Sequence, residues 1–264
     1  MAPDGSSGFD VADCTAFVTG ANQGIGRGFV EVLLERGARK VYATARRAET
    51  LPELAALDPD RVVTLQLDVT DEAQRRAAAA AVTDVTFLIN NAGIPGSPVA
   101  EKRRMLAAPD LDDIRLVMET DCWAPVEMAR LLVPLIKSNG GGAVCNILSI
   151  GALFCLPEYS SYSIAKTALA RATAGIRAEL DRDPVFVAGV YTAGVRTRMS
   201  AKNLEARCSP VEHAHQVFEA LAQGREAIYA GDEAEELRDF VLSDPKAFER
   251  RLIERFYADP LTIE

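Results

Sequence analysis

The chain has 264 residues, 48% of them hydrophobic, and a net charge of −9. That length suffices for one large α/β domain with a full core, while no apolar run approaches the ~20 residues needed to cross a bilayer. With no basic cluster beyond Lys102-Arg103-Arg104, nucleic acid and anionic membrane surfaces are excluded as partners.

Residues 1–12, rich in Gly, Ser, Pro and Asp, read as a flexible tail without the basic and apolar segments of a signal peptide, so a cytoplasmic location is expected. Residues 13–264 read as a single domain, without repeats or a linker. The five cysteines are odd in number and form no CxxC pair, which points to buried or free thiols. His213 and His215, two apart on an expected helix, face different directions, so no metal site is expected.

Cys14 to Thr19 has the content of a buried strand and runs into Gly20-Ala21-Asn22-Gln23-Gly24-Ile25-Gly26. Phe29, Val30, Leu33 and Leu34 then give a helix its apolar stripe, and Gly37 suits its end. Strand, glycine turn and helix together suit a phosphate cradle, because glycines let the backbone approach a pyrophosphate and the helix start offers free N–H groups. A purely structural glycine turn is the alternative.

Lys40 to Ala45 is expected as a second strand, with Arg46-Arg47 just past its end. An acidic residue there would bind an adenosine ribose, whereas an arginine accepts a 2′-phosphate; a solvated arginine pair is the plainer reading. Arg61 to Leu67 alternates as a third strand, followed by Asp68-Val69 and an Ala-rich helix that Thr70 or Asp71 would cap. Val85 to Ile89 is the fourth strand, leading into Asn90-Asn91-Ala92-Gly93, and residues 94–110 form an irregular excursion bordering a substrate entrance. Residues 111–137 read as one helix whose surplus apolar surface, Trp123 included, suggests a subunit contact.

A fifth strand, Ala143 to Leu148, delivers Ser149 at its carboxyl end, where open α/β sheets bind ligands. A helix at 159–181 carries Tyr162 and Lys166 four apart and therefore on one face. An ammonium beside a phenol favours the phenolate, which fits Tyr162 for proton exchange; an ordinary helix and a turn serine are the plain alternatives. Leu153-Phe154-Cys155-Leu156-Pro157 makes an apolar loop at the mouth of the site, hinting at a hydrophobic substrate. Pro184 to Tyr191 is a sixth strand, a substrate loop spans about 192–212, and Glu226 to Tyr229 is a short last strand. The charged helical remainder, 233–257, is expected on the outside, interrupted at Pro245.

Thr19-Gly20, Gly24-Ile25-Gly26, Asn90-Asn91-Ala92-Gly93, Ser149 and the Tyr162/Lys166 pair occur in the order and spacing of the short-chain dehydrogenase/reductase family, whose classical subgroup the chain resembles over about residues 14 to 230. The resemblance implies a Rossmann-type doubly wound parallel α/β sheet of about seven strands with helices on both faces. Gly20, Asn22, Gln23, Gly24, Ile25 and Gly26 would cradle the dinucleotide, with Arg46 favouring NADP(H) over NAD(H). Asp68 and Val69 would border the adenine, Asn91, Ala92 and Gly93 would line the cofactor, and Val195 and Thr197 would meet the nicotinamide end. Ser149, Tyr162 and Lys166 would be catalytic, Tyr162 and Lys166 also touching the cofactor.

Two departures stand out. Asp121 occupies the place of the family's catalytic asparagine, and Thr192-Ala193 replaces its usual Pro-Gly. The expected activity is hydride transfer interconverting a carbonyl and an alcohol on a small to medium hydrophobic substrate, in a homodimer or homotetramer built through helices 111–137 and 159–181. Non-redox chemistry on the same fold, such as dehydration or cyclisation, and a cofactor-binding sensor are the alternatives that the two departures motivate.

Overall fold

The computed structural model describes residues 8–199 and 208–258. Seven strands form one parallel sheet: β1 Thr15–Val18, β2 Lys40–Ala45, β3 Val62–Gln66, β4 Phe87–Asn90, β5 Gly142–Ile147, β6 Val185–Thr192 and β7 Ala227–Ala230, with short helices α2 Leu51–Ala55 and α4 Ala100–Arg103 in the connections after β2 and β4. Their order is β3-β2-β1-β4-β5-β6-β7. The order reverses between β1 and β4, and a doubly wound sheet opens its ligand crevice at that point.

Strands such as β1 and β4 are buried on both faces, which is why they read as continuous apolar runs. On one face α1 (Gly24–Glu35) and α8 (Pro210–Ala222) enclose Phe29, Leu33, Phe87 and Phe218. On the other, α3 (Glu72–Ala80), α6 (Ala124–Ser138) and α7 (Ser160–Glu179) cover Phe17, Leu88, Leu132 and Ile136. Within this second layer a polar chain runs through the core. Asn90 Nδ2 donates to Asn146 Oδ1 at 2.8 Å, and Asn146 Nδ2 donates to Thr173 Oγ1 at 2.9 Å, joining β4, β5 and α7.

Two expectations need correction. The packed chain begins before residue 13: the Phe9 N–H donates to Leu221 O at 2.9 Å, the Phe9 ring lies 4.8 Å from Phe87, and Val11 is buried. Residues 111–137 are not one regular helix, because α5 (Asp112–Met118) passes through a π-helical turn, Glu119–Trp123, before α6. A π turn inserts an extra residue per turn, which rotates every following side chain and places Asp121 inward while Trp123 stays 53% exposed. The C-terminal helices α9 (Asp232–Ser243) and α10 (Pro245–Ala258) lie on the outside of the sheet, with only Ala234, Val241 and Phe248 buried. They cross the carboxyl edge of the sheet and touch the turns at 150–152 and 157–159. The part of the expected substrate loop at 200–207 lies outside the described residues. Among the described residues no helix is long and apolar enough to cross a membrane, and no group of metal-ligating side chains occurs.

Candidate active site

The turn between β1 and α1 is shaped by glycine. Gly20 and Gly24 hold φ values of 65° and 55°, a region that side chains disfavour. A Cβ on Gly26 would collide with the Gly20 carbonyl oxygen and sit 2.5 Å from Asn91 Nδ2. The α1 start, with Gln23 in extended backbone, has no side-chain cap and no acidic residue in its first turn. Its N–H groups and their positive end are thus open to an anion. Asn22 and Ile25 are half-buried in this turn, and Gln23 is exposed.

Asn91 locks the neighbouring strand end to the turn, its Nδ2 donating to Thr19 O at 3.0 Å and Gly20 O at 3.1 Å. The hydroxyl of Thr19, the first residue of the glycine-turn motif, accepts the N–H groups of Asn91 and Ala92 at 2.9 and 3.0 Å. Arg46 is exposed at the end of β2, where Arg47 pairs with Glu49 at 3.8 Å. Asp68 takes the Thr70 N–H and hydroxyl on Oδ1, at 3.0 and 2.7 Å, and Val69 is buried beside it. From the far side of the crevice, Thr197 Cγ2 would lie 3.2 Å from a Cβ on Gly24, and Val195 is buried. These residues fit a dinucleotide: backbone at close approach, free helix N–H groups and a guanidinium at the strand end.

Ser149 lies two residues past the end of β5 and caps the short turn Ile150–Ala152, accepting the Gly151 N–H at 3.1 Å. Tyr162 and Lys166 project from the first turns of α7, with the Lys166 ammonium 5.6 Å from the Tyr162 ring centroid. Lys166 Nζ donates to Ile147 O at 2.9 Å and stands 3.1 Å from Asp121 Oδ2. Asp121 Oδ1 accepts the Ile94 N–H at 2.8 Å. One carboxylate thereby ties the strand exit at 93–94 to the lysine of α7. Gly93 makes room for it, since a Cβ there would lie 2.7 Å from Asp121 Oδ2.

Both members of this pair are buried, Asp121 completely. Burial pushes the Asp121 carboxyl above its ordinary range and outweighs the opposing pull of Lys166 and the Ile94 N–H. For Lys166 burial acts downward, but Asp121 and Tyr162 together hold it above the ordinary lysine value. Tyr162 departs from the expected direction. Burial lifts the phenol, Lys166 lowers it, Asp121 raises it again and the Ser149 hydroxyl lowers it, leaving it above the ordinary 10. The ammonium favours the phenolate, as its spacing suggested, yet burial outweighs it and the Asp121 carboxylate offsets part of its charge.

The second departure also has a partner. Thr192 Oγ1 lies 3.3 Å from Nε2 of His213, a fully buried residue of α8 whose imidazole burial holds down to about 4. A side-chain contact thus anchors the strand exit where the family's usual proline would stiffen it. His213 stands four residues before Val217 and eight before Leu221, on the buried apolar face of α8, a spacing that marks a core role.

The parallel sheet, its order and the glycine-first turn define a Rossmann-type dinucleotide fold. The model of the family described as short chain dehydrogenase matches residues 14–207. Short-chain dehydrogenase PC-15 of Penicillium crustosum is 31% identical over 224 residues, spanning 80% of this chain and 77% of its own. A short chain dehydrogenase from Burkholderia cenocepacia, solved in complex with NADP, is 38% identical with a TM-score of 0.82, covering 92% of this chain and 98% of that one. An NADPH-bound carbonyl reductase from chicken fatty liver is 26% identical at a TM-score of 0.73, covering 84% and 96%. A short chain dehydrogenase/reductase from Burkholderia phymatum in complex with NAD, 20% identical at a TM-score of 0.74 and covering 87% and 93%, shares the fold. The chain belongs to the short-chain dehydrogenase/reductase family of oxidoreductases.

Proposed function

We propose that the protein is an NADP(H)-dependent oxidoreductase interconverting a carbonyl and an alcohol on a small to medium hydrophobic substrate. The observation that carries this reading is the meeting of Ser149, Tyr162 and Lys166 beside the glycine cradle, at the carboxyl ends of neighbouring strands. When bound, the nicotinamide supplies or accepts the hydride. In reduction the Ser149 hydroxyl and Tyr162 O–H polarise the carbonyl oxygen, and Tyr162 gives that oxygen its proton. Lys166 stabilises the phenolate left behind and is itself oriented by Ile147 O and Asp121. Gly20 to Gly26, Asp68, Val69, Asn91 to Gly93, Val195 and Thr197 hold the dinucleotide, with Arg46 on the 2′-phosphate; the NADP and NADPH of the two more similar neighbours support that choice.

Exposed Leu116, Trp123 and Ile164 on α5, the π turn and α7 support a homodimer or homotetramer through these helices. All five cysteines are free thiols, which suits a reducing, cytoplasmic setting. One observation favours non-redox chemistry instead: Lys166 is already committed to Asp121 and Ile147 O.

The deciding experiment follows reduced-nicotinamide absorbance with NADPH, and separately NADH, over a panel of hydrophobic ketones and aldehydes. Consumption with NADPH preferred is expected, and Arg46→Ala should cut that preference about tenfold. NADH preference would overturn the Arg46 assignment. Substrate conversion with no change in absorbance would move the protein to the non-redox reading.

A further inference from the structure

The π turn that delivers Asp121 is fastened to the loop after β3. Arg75, on α3, is buried, and its Nη1 donates to Val69 O at 2.6 Å and to Glu119 Oε1 at 3.3 Å. Val69 lies in that loop, and Glu119 is the first residue of the π turn. One guanidinium therefore straps the two segments together. Two residues further along the turn, Asp121 meets Lys166 and the Ile94 N–H.

A π turn is a sparsely used register, and relaxing it to α geometry turns the side chains on one flank by about one residue, roughly 100°, against those on the other. Backbone bonding in this stretch gives it little support. Pro125, the second residue of α6, brings no N–H to the ladder, and the Thr120 hydroxyl supplements it by donating to Leu116 O at 2.8 Å. A charged contact at the first residue of such a turn favours the register in which that residue reaches its partner.

We propose that Arg75 is a positioning residue for the reaction: by pinning Glu119 to Val69, it keeps the π turn in the register that aims Asp121 at Lys166. Arg75 itself meets no reacting group and acts through Glu119 and Asp121. The proposal rests on the reading of Tyr162 as the proton donor and adds a residue on a different helix on which that group depends. In the same reading Val69 borders the adenine, so the strap also joins the two ends of the dinucleotide site. Burial raises Tyr162, Lys166 lowers it, Asp121 raises it again and Ser149 lowers it, while Cys122 acts on Lys166. Swinging Asp121 away leaves the ammonium less opposed and the phenol easier to ionise. Reduction needs the protonated phenol, so its alkaline loss then begins at lower pH.

The test uses the full chain with Glu119→Ala, which cuts the strap and spares the Val69 contact, and Arg75→Met, which removes both contacts. Each is also combined with Asp121→Asn. Glu119 is half-buried, so Glu119→Ala carries the test if Arg75→Met fails to fold. pH–rate profiles for NADPH-dependent reduction of a hydrophobic ketone are read beside NADPH titration and site-resolved amide exchange. Both single variants should lose activity at lower pH than the parent, with kcat down about threefold or more at a fixed pH on the alkaline limb. NADPH affinity should hold in Glu119→Ala and weaken in Arg75→Met. In the Asp121→Asn background neither should move the limb further, and an equal further shift would overturn the proposal. Exchange at Ile94 and over 119–123 should quicken about tenfold in both variants while β4 and β5 stay protected. Parental exchange at those amides, or quickened exchange with a parental pH limb, would also overturn it. If no carbonyl compound is reduced, the carbonyl-reductase reading fails, and the exchange measurement alone decides whether Arg75 sets the turn.

Discussion

At the β1–α1 turn, atoms are positioned by backbone: Gly20 and Gly24 adopt φ values side chains avoid, and Gly26 leaves no space for a Cβ. Across the crevice, around Asp121 and Lys166, positions depend on buried charge held by a π-helical turn, a strand carbonyl and a single N–H. The first region is permissive in charge and strict in shape. The second is strict in charge, because an ion pair in a low-dielectric interior tolerates neither the loss of one member nor the approach of water. A cofactor-binding surface can thus persist while the reacting groups beside it are retuned.

The sharpest separation of the two regions is Tyr162→Phe. It leaves the glycine turn and the Asp121–Lys166 pair in place, so NADPH titration should be unchanged while turnover falls about 10²–10⁴-fold. Normal turnover would show that the phenol is not the proton donor.

Next in size is Asp121. Asp121→Ala strands the Lys166 ammonium and should cost about 3–5 kcal/mol in chemical denaturation. Asp121→Asn keeps an acceptor for the Ile94 N–H and removes the negative charge that raises Tyr162. Reduction needs the protonated phenol, so removal of that charge lowers the Tyr162 pKa and the alkaline loss of reductase activity should begin at lower pH. A pH–rate profile identical to the parent would show that the carboxylate is electrostatically silent.

The smallest effect tests the loop after β6. Burial holds the His213 imidazole at about 4 against an ordinary 6.5. Between those values the unfolded chain binds a proton that the fold excludes. Stability complete above pH 6.5 should therefore decline as pH falls through this window, by about 3 kcal/mol at its lower end. His213→Gln, which can still bond Thr192, should flatten that profile in denaturation curves taken across the same range.

What was legible in the sequence follows the same division. Buried parallel strands and a glycine-rich turn leave composition signals that do not depend on distant partners, so the strands fell within a residue or two of their expected ends. The Tyr162 and Lys166 spacing placed both side chains on one helical face, as the structure has them. The π turn at Glu119–Trp123 was invisible because an inserted residue alters rotation, not composition. The net direction at Tyr162 is set first by its burial in the fold and then by Asp121, 45 positions from Lys166 in the chain, neither of which the Tyr162/Lys166 spacing carries. Phe240 and Phe248 sit in charged helices, and their packing, Phe248 on both Phe240 and Phe154, joins segments far apart in the sequence.

The Asn90–Asn146–Thr173 chain bears on how such a site is assembled. A purely aliphatic core accepts strands slipped by two residues at little cost, since the same faces still meet. Two amides and a hydroxyl do not, because any slipped arrangement buries their donors unpaired. The helix that carries Tyr162 and Lys166 is therefore keyed to one register of β4 and β5: a slipped sheet would leave Thr173 and both amides without their partners.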